Sequence, residues 1–225
     1  LVVGVSDYSQ ISDLEFCDED ASNWYKYLTS RGYKTQIFGD KNVQNYPAYS
    51  GLASERNVRA AFRDILQKAE TGDTVVFTTS GHGSGDGKGN SFICLQACDP
   101  NLDTDCYYDK ELLVDIKSAK NKPNIFIFVD HCFSGGLLDE LRSIPNVACL
   151  TAATENGYGY DDPTNKLGAW TYCYLQRALI QQFGGSAPVA TVFEWAQKNY
   201  PILTGHKDKG DQPQMVNNLG NLFMI

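Results

Sequence analysis

No stretch of this 225-residue chain approaches the roughly 18 consecutive apolar residues that a membrane-spanning helix needs. Positive charge is also short: 19 Lys and Arg stand against 27 Asp and Glu, for a formal net charge of −8. That balance turns the protein away from nucleic acid as its main partner and suits basic substrates, while the lack of a long apolar run predicts no membrane as a partner. Internal repeats, linkers and low-complexity segments are absent, so one domain over residues 1–225 is expected. The seven cysteines include no paired C-x-x-C, and Cys94, Cys98 and Cys106 match no zinc spacing. An odd number leaves at least one thiol unpaired, which a reduced, cytoplasmic protein explains most simply. Leu1–Val5 already reads as a strand, so a trimmed start, with any prodomain or targeting segment missing, is expected.

What is present is ample core: 42% of residues are hydrophobic and 20% charged. Apolar, β-branched runs at Leu1–Val5, Thr74–Thr79, Ile125–Val129 and Val147–Ala152 read as buried strands, and Tyr33–Phe38 as one near an edge. Helical patterns lie between them. One begins at about Asp18 or Asp20, carries Trp24, Tyr27 and Leu28 and stops before Gly32; another is capped by Ser54 and carries Val58, Phe62, Ile65 and Leu66. Further helices are expected over Glu111–Lys120, Leu137–Arg142, Ala169–Phe183 and Thr191–Tyr200, with a short hairpin over Ser91–Ala97. Strands alternating with helices predict an α/β fold with a mostly parallel central sheet flanked by helices.

The chemistry is concentrated where two of these strands end. The run Ile125–Val129 stops at Asp130-His131-Cys132, and Ser134-Gly135-Gly136 then turns the chain toward a helix. Polar residues at the carboxyl end of a buried strand are where open α/β sheets place their sites. A thiol there, partly exposed and near a helix N-terminus, is favoured as thiolate. The preceding buried strand ends in Ser80-Gly81-His82-Gly83, fifty residues ahead of Cys132. The glycines that follow match neither a P-loop nor G-x-G-x-x-G, so no phosphate cradle is expected. Parallel strands bring their carboxyl ends to one edge, so His82 can face Cys132 as its general base and acid. His131 and His206 are the rival bases. Backbone N–H groups of Gly83 and Cys132 are candidates for an oxyanion hole.

S-G-H-G after one strand and D-H-C-F-S-G-G after the next resemble the caspase-fold cysteine peptidases, in which a histidine precedes the cysteine by about fifty residues. Asp130, two residues before the cysteine, makes metacaspases the more similar branch. So does Leu14-Glu15-Phe16-Cys17-Asp18-Glu19-Asp20-Ala21, which resembles their L-x-G-C-x-x-D-A segment with Phe16 for Gly. The resemblance spans nearly the whole chain and implies a three-layer caspase-like fold. It also implies a peptidase acting after Arg or Lys, whose specificity pocket is lined by Cys17, Asp20, Ser80 and Asp130. His131 and Phe133 depart from the usual D-S-C-H-S-G. The His–Cys chemistry requires no cofactor. A Ca²⁺ site found in many metacaspases has partial matches in Asp99, Asp109 and Asp139, with Lys110 where a second consecutive Asp is usual.

Two alternatives stand beside this one. A legumain-like peptidase cleaving after Asn is opposed by the two acids of the pocket. A catalytically inactive caspase-like scaffold is opposed by the presence of both His82 and Cys132. Protein or peptide substrates with a basic residue before the scissile bond are the expected partners.

Overall fold

The alternation of strands and helices is realised around one seven-stranded sheet. The computed structural model describes residues 1–225. In chain order the elements are β1 (Val2–Gly4), α1 (Cys17–Ser30), β2 (Ile37–Gly39), β3 (Gly51–Leu52), α2 (Glu55–Lys68) and β4 (Thr74–Ser80). A peripheral trio follows: β5 (Gly83–Gly85), β6 (Ser91–Asp99) and β7 (Thr104–Tyr108). Then come α3 (Asp109–Lys117), β8 (Asn124–Asp130), α4 (Leu137–Leu141), β9 (Val147–Thr151), β10 (Asp161–Asp162) and β11 (Leu167–Gly168). The chain ends with α5 (Ala169–Thr171, continuing as a π-helix over Tyr172–Gln182), α6 (Val189–Thr204) and β12 (Gln214–Asn217).

The sheet order is β12-β9-β8-β4-β1-β2-β3, with every pairing parallel except β12 against β9. Alternation along β8 explains its unbroken hydrophobicity. Ile125, Ile127 and Val129 join the cluster under α2, α3 and α4, while Phe126 and Phe128 join the one under α1, α5 and α6. Burying both faces makes three layers. Strands β4 and β8 pair without a slip from Thr74↔Asn124 to Ser80↔Asp130, so Ser80 and Asp130 emerge side by side at the carboxyl edge. At the same edge α1 lies directly on β1: a Cβ on Gly4 would sit 2.2 Å from the Cys17 carbonyl oxygen.

Several expected elements differ in extent. Of Tyr33–Phe38 only Ile37 and Phe38 lie in a strand, β2, which runs on to Gly39 and is second from the edge, outside it being the two-residue β3. The expected hairpin at Ser91–Ala97 is instead the middle strand of the antiparallel trio β5-β6-β7. β12 was hidden in a tail behind Pro213, and β10 and β11 are two-residue strands too short to carry a periodicity. No helix is long and apolar enough to cross a membrane.

Candidate active site

Loops leaving β1, β4 and β8 converge at the carboxyl edge, because these strands are neighbours in the sheet. They enclose a pocket of about 70 Å³ whose lining includes both His82 and Cys132. Phe133 adopts a left-handed backbone (φ 57°), which turns the chain sharply after Cys132. A short 3₁₀ turn (Ser134–Gly136) and the five-residue α4 follow. So short a helix gives the thiol little dipole, and the expected preference for thiolate is not realised. Burial, the largest influence, together with the Asp130 carboxylate, holds the Cys132 pKa above its ordinary value; the thiol donates weakly to the Gly159 carbonyl oxygen at 3.4 Å. A resting thiol needs a base to become a nucleophile.

His82 is held from two sides by the loop after β1. Its Nε2 lies 2.9 Å from the Ser12 carbonyl oxygen, which can only accept, so Nε2 carries the proton and Nδ1 is left as the basic atom. Its backbone N–H donates to the Tyr8 hydroxyl at 2.7 Å, and the Tyr8 ring lies against the imidazole with centroids 5.0 Å apart. The Tyr8 hydroxyl in turn donates to the Cys94 carbonyl oxygen at 3.4 Å. It thereby wedges into the start of the β5–β6 ladder, where Cys94 N–H still reaches the His82 carbonyl oxygen at 2.9 Å. No hydrogen bond joins His82 to Cys132 in this arrangement.

Of the rival histidines only His131 lines the pocket. His131 is buried with its Nε2 3.0 Å from the Thr79 hydroxyl, and burial pulls its pKa down to about 3. Neutral and enclosed, it is a poor base. His206 stacks flat on Tyr160 with centroids 3.7 Å apart and does not line the pocket.

Gly83 pairs with Ile93 between two positions whose ladder bonds face β6, so by antiparallel alternation its own N–H points away from β6. A Cβ there would sit 2.4 Å from the Cys132 carbonyl oxygen, so only glycine allows β5 to start against the Cys132 turn. The Cys132 N–H makes no bond to another residue's backbone.

Cys17, Asp20, Ser80 and Asp130 are also brought together. Asp20, 0% exposed on the first turn of α1, accepts from the Ser80 hydroxyl at 2.6 Å and from Gly168 N–H at 2.9 and 3.1 Å. Asp130, 5% exposed, accepts from Thr171 N–H at 2.7 Å and its hydroxyl at 2.9 Å. Burial raises both carboxyls: Asp20 well above the usual range, with the Asp130 charge adding, and Asp130 to about 7 despite its Thr171 bonds. None of the molecule's ion pairs involves either acid, and no Lys or Arg lines the pocket. Cys17, Ser80 and Asp130 line it, while Asp20 lies behind Ser80 and Gly168. Four further wall residues, Gly159, Tyr160, Asp161 and Gly168, lie in the Thr154–Gly168 segment, which gave no signal beyond its glycine and acid content.

The calcium candidates have separate engagements. Asp109 is buried at the start of α3, accepting from Ser91 N–H at 2.9 Å and Lys110 N–H at 2.6 Å. Asp99 closes a turn onto Asn101 N–H at 2.9 Å, and Asp139 is exposed and pairs with Arg142 at 3.3 Å. No group of three or more His, Cys, Asp or Glu side chains gathers as a metal site. As arranged, these three aspartates do not fit Ca²⁺, which takes six to eight oxygens.

Comparison with known proteins agrees with this architecture. The caspase-domain family model matches residues 1–213. Metacaspase-4 of Arabidopsis thaliana is 30% identical over 154 residues, covering 63% of this chain and 34% of that protein. Metacaspase-6 of the same plant is 29% identical over 152 residues, covering 63% and 39%. The aligned part thus spans little more than a third of these relatives' length. The crystal structure of protein GSU0716 from Geobacter sulfurreducens superposes with a TM-score of 0.70 at 13% identity, covering 95% of this chain and 90% of that one, a likeness of fold. With a family model matched over nearly its full length, this chain belongs to the caspase-domain family.

Proposed function

We propose that this chain is a cysteine endopeptidase domain that hydrolyses peptide bonds after arginine or lysine. The observation that carries the specificity is a pair of buried carboxyls with no cation of the protein's own beside them: Asp130 lines the pocket that holds Cys132, and Asp20 lies directly behind its Ser80 and Gly168 wall. A substrate guanidinium or ammonium supplies the missing charge and relieves the repulsion between the two acids. An aspartate in the same place brings a further acid against them and supplies no counter-charge.

The proposed chemistry uses the chain's own groups. His82 Nδ1 takes the proton from Cys132 Sγ, and the sulfur attacks the scissile carbonyl carbon. Charge gathering on the carbonyl oxygen is met by the N–H groups of Gly83 and Cys132. The imidazolium gives its proton to the departing amine, leaving a thioester; water, deprotonated by His82, then releases the acid. The Ser12 carbonyl keeps Nε2 protonated and Nδ1 directed to this work, and Tyr8 supports the ring from behind.

Fluorogenic peptides that differ only in the residue before the scissile bond test the proposal. Arg and Lys peptides are expected to be turned over at least about a hundredfold faster than Asn or Asp peptides, the scale of a desolvated charge match. Cys132→Ala is expected to abolish turnover. A preference for Asn reassigns the enzyme to the legumain-like class. A pure, folded protein inactive on every peptide supports the scaffold alternative.

A further inference from the structure

Asp130 forms the foot of the pocket with Asp20 directly behind it, bonded to the lining residues Ser80 and Gly168, and a third acid stands on the wall. Asp161 lies on β10 directly opposite Gly168 on β11. Directly opposed residues of an antiparallel pair project from the same face, with Cβ atoms about 5 Å apart. On Gly168 that direction is known: a Cβ would sit 2.4 Å from Asp130 Oδ2 and 2.6 Å from Asp20 Oδ2. The Asp161 side chain therefore heads for the same two carboxylates from one residue pair away, and it lines the pocket.

Its state differs from theirs. Asp20 and Asp130 are buried and bonded to Ser80, Gly168 and Thr171. Asp161 is only half-buried, one oxygen accepts from Glu15 N–H at 3.0 Å, and the other makes no hydrogen bond. Burial raises its carboxyl above the ordinary range, and neighbouring His82 opposes that rise. An incoming cation passes an acid with a free oxygen before it reaches the pair at the bottom.

We infer that Asp161 is a specificity residue that selects arginine over lysine as the residue before the scissile bond. A guanidinium is a planar fork with donors along several edges, so it reaches the wall acid and the foot acids together. An ammonium is a compact charge that settles on the foot pair alone. This inference rests on the basic-pocket reading above.

The test is kcat/KM for matched Arg, Lys and citrulline peptides with wild type, Asp161→Asn and Asp161→Glu. Asparagine keeps an acceptor for Glu15 N–H, and circular dichroism checks the fold of both variants. Wild type is expected to favour Arg over Lys by about tenfold, the value of one charge-assisted contact. Asp161→Asn is expected to lose about that factor on Arg while Lys changes less than about threefold, and Asp161→Glu to retain the Arg preference. An unchanged Arg-to-Lys ratio in Asp161→Asn, or an equal loss on all three peptides, overturns the inference while leaving the basic pocket standing. Wild type that cleaves citrulline peptides as well as Arg and Lys peptides overturns the basic pocket, and the inference with it.

Discussion

Two buried acid clusters in this molecule are built in opposite ways. On one flank Asp115 of α3, 0% exposed, receives Arg59 Nε at 3.0 Å, Arg63 Nε at 2.6 Å and the Tyr107 hydroxyl at 2.9 Å. Arg59 is shared with Glu55 and Glu111 as well. Every charge there has its counter-charge within the fold. At the sheet edge Asp20 and Asp130 are equally buried, yet their partners are neutral hydroxyls and amides. A buried carboxylate without a cation costs stability, so the protein keeps these protonated or lends them to a ligand. The first cluster joins α2 to α3; the second is, on the proposed function, a socket for a substrate cation.

Substituting one acid in each cluster tests that contrast most strongly. Asp115→Asn leaves two arginines facing a neutral group and is expected to destabilise the fold by about 3 kcal/mol, read by denaturant unfolding, with little change in activity per folded molecule. Asp130→Asn keeps an acceptor for Thr171, so it should leave stability near wild type. It should lower kcat/KM on an arginyl peptide by about 2–4 kcal/mol, some thirty- to several-hundredfold. If both variants lose stability alike, the pocket acids are structural and the contrast fails.

A pH titration of stability sharpens the same contrast. Asp130, raised by burial to about 7 from an ordinary 3.8, holds a proton in the folded state that the unfolded chain has released. The folded state binds the extra proton, so stability falls as pH rises. The contribution is full below the unfolded pKa of about 3.8, declines on the way up and is lost once pH passes about 7. Asp130→Asn is expected to flatten part of that slope in thermal unfolding between pH 4 and 8. An unaltered slope assigns it to other groups.

The smallest expected effect concerns the wedge behind the proposed base. Tyr8→Phe removes the acceptor of the His82 N–H and keeps the ring. It is expected to lower kcat by about tenfold, the value of one buried hydrogen bond to the positioning shell, with KM within about twofold. The alkylation rate of Cys132 by iodoacetamide near pH 7 should fall with it. Unchanged kcat and alkylation would make Tyr8 ordinary core.

How much of this was readable in advance follows from what each residue leans on. His82 and Cys132 were visible because each follows a long apolar run, and Ser80 and Asp130 close β4 and β8 at paired positions. Asp20 was marked by the motif around Cys17, since an acid in a first helical turn is otherwise an ordinary cap. Asp161 and Gly168 were invisible as a pair because a two-residue hairpin has no period, and Gly168 matters for the Cβ it lacks. Tyr8 carried no signal in the sequence, because its hydroxyl reaches Cys94, 86 positions away, a distance no local pattern reports. The thiolate expectation failed because the thiol is buried and stands beside Asp130, and burial at a strand end is set by loops from distant parts of the chain.

The central claim is that the pocket acids are held for a cation, and calorimetric titration with acetyl-arginine amide addresses it directly. Repeated in buffers of different ionisation enthalpy, the titration counts protons. Binding is expected to tighten as pH rises through about 7, with net proton release near that value as Asp130 gives up its proton to face the guanidinium. Asp130→Asn should weaken binding and remove most of the release. Binding that is independent of pH, releases no proton and survives Asp130→Asn unchanged would contradict the account.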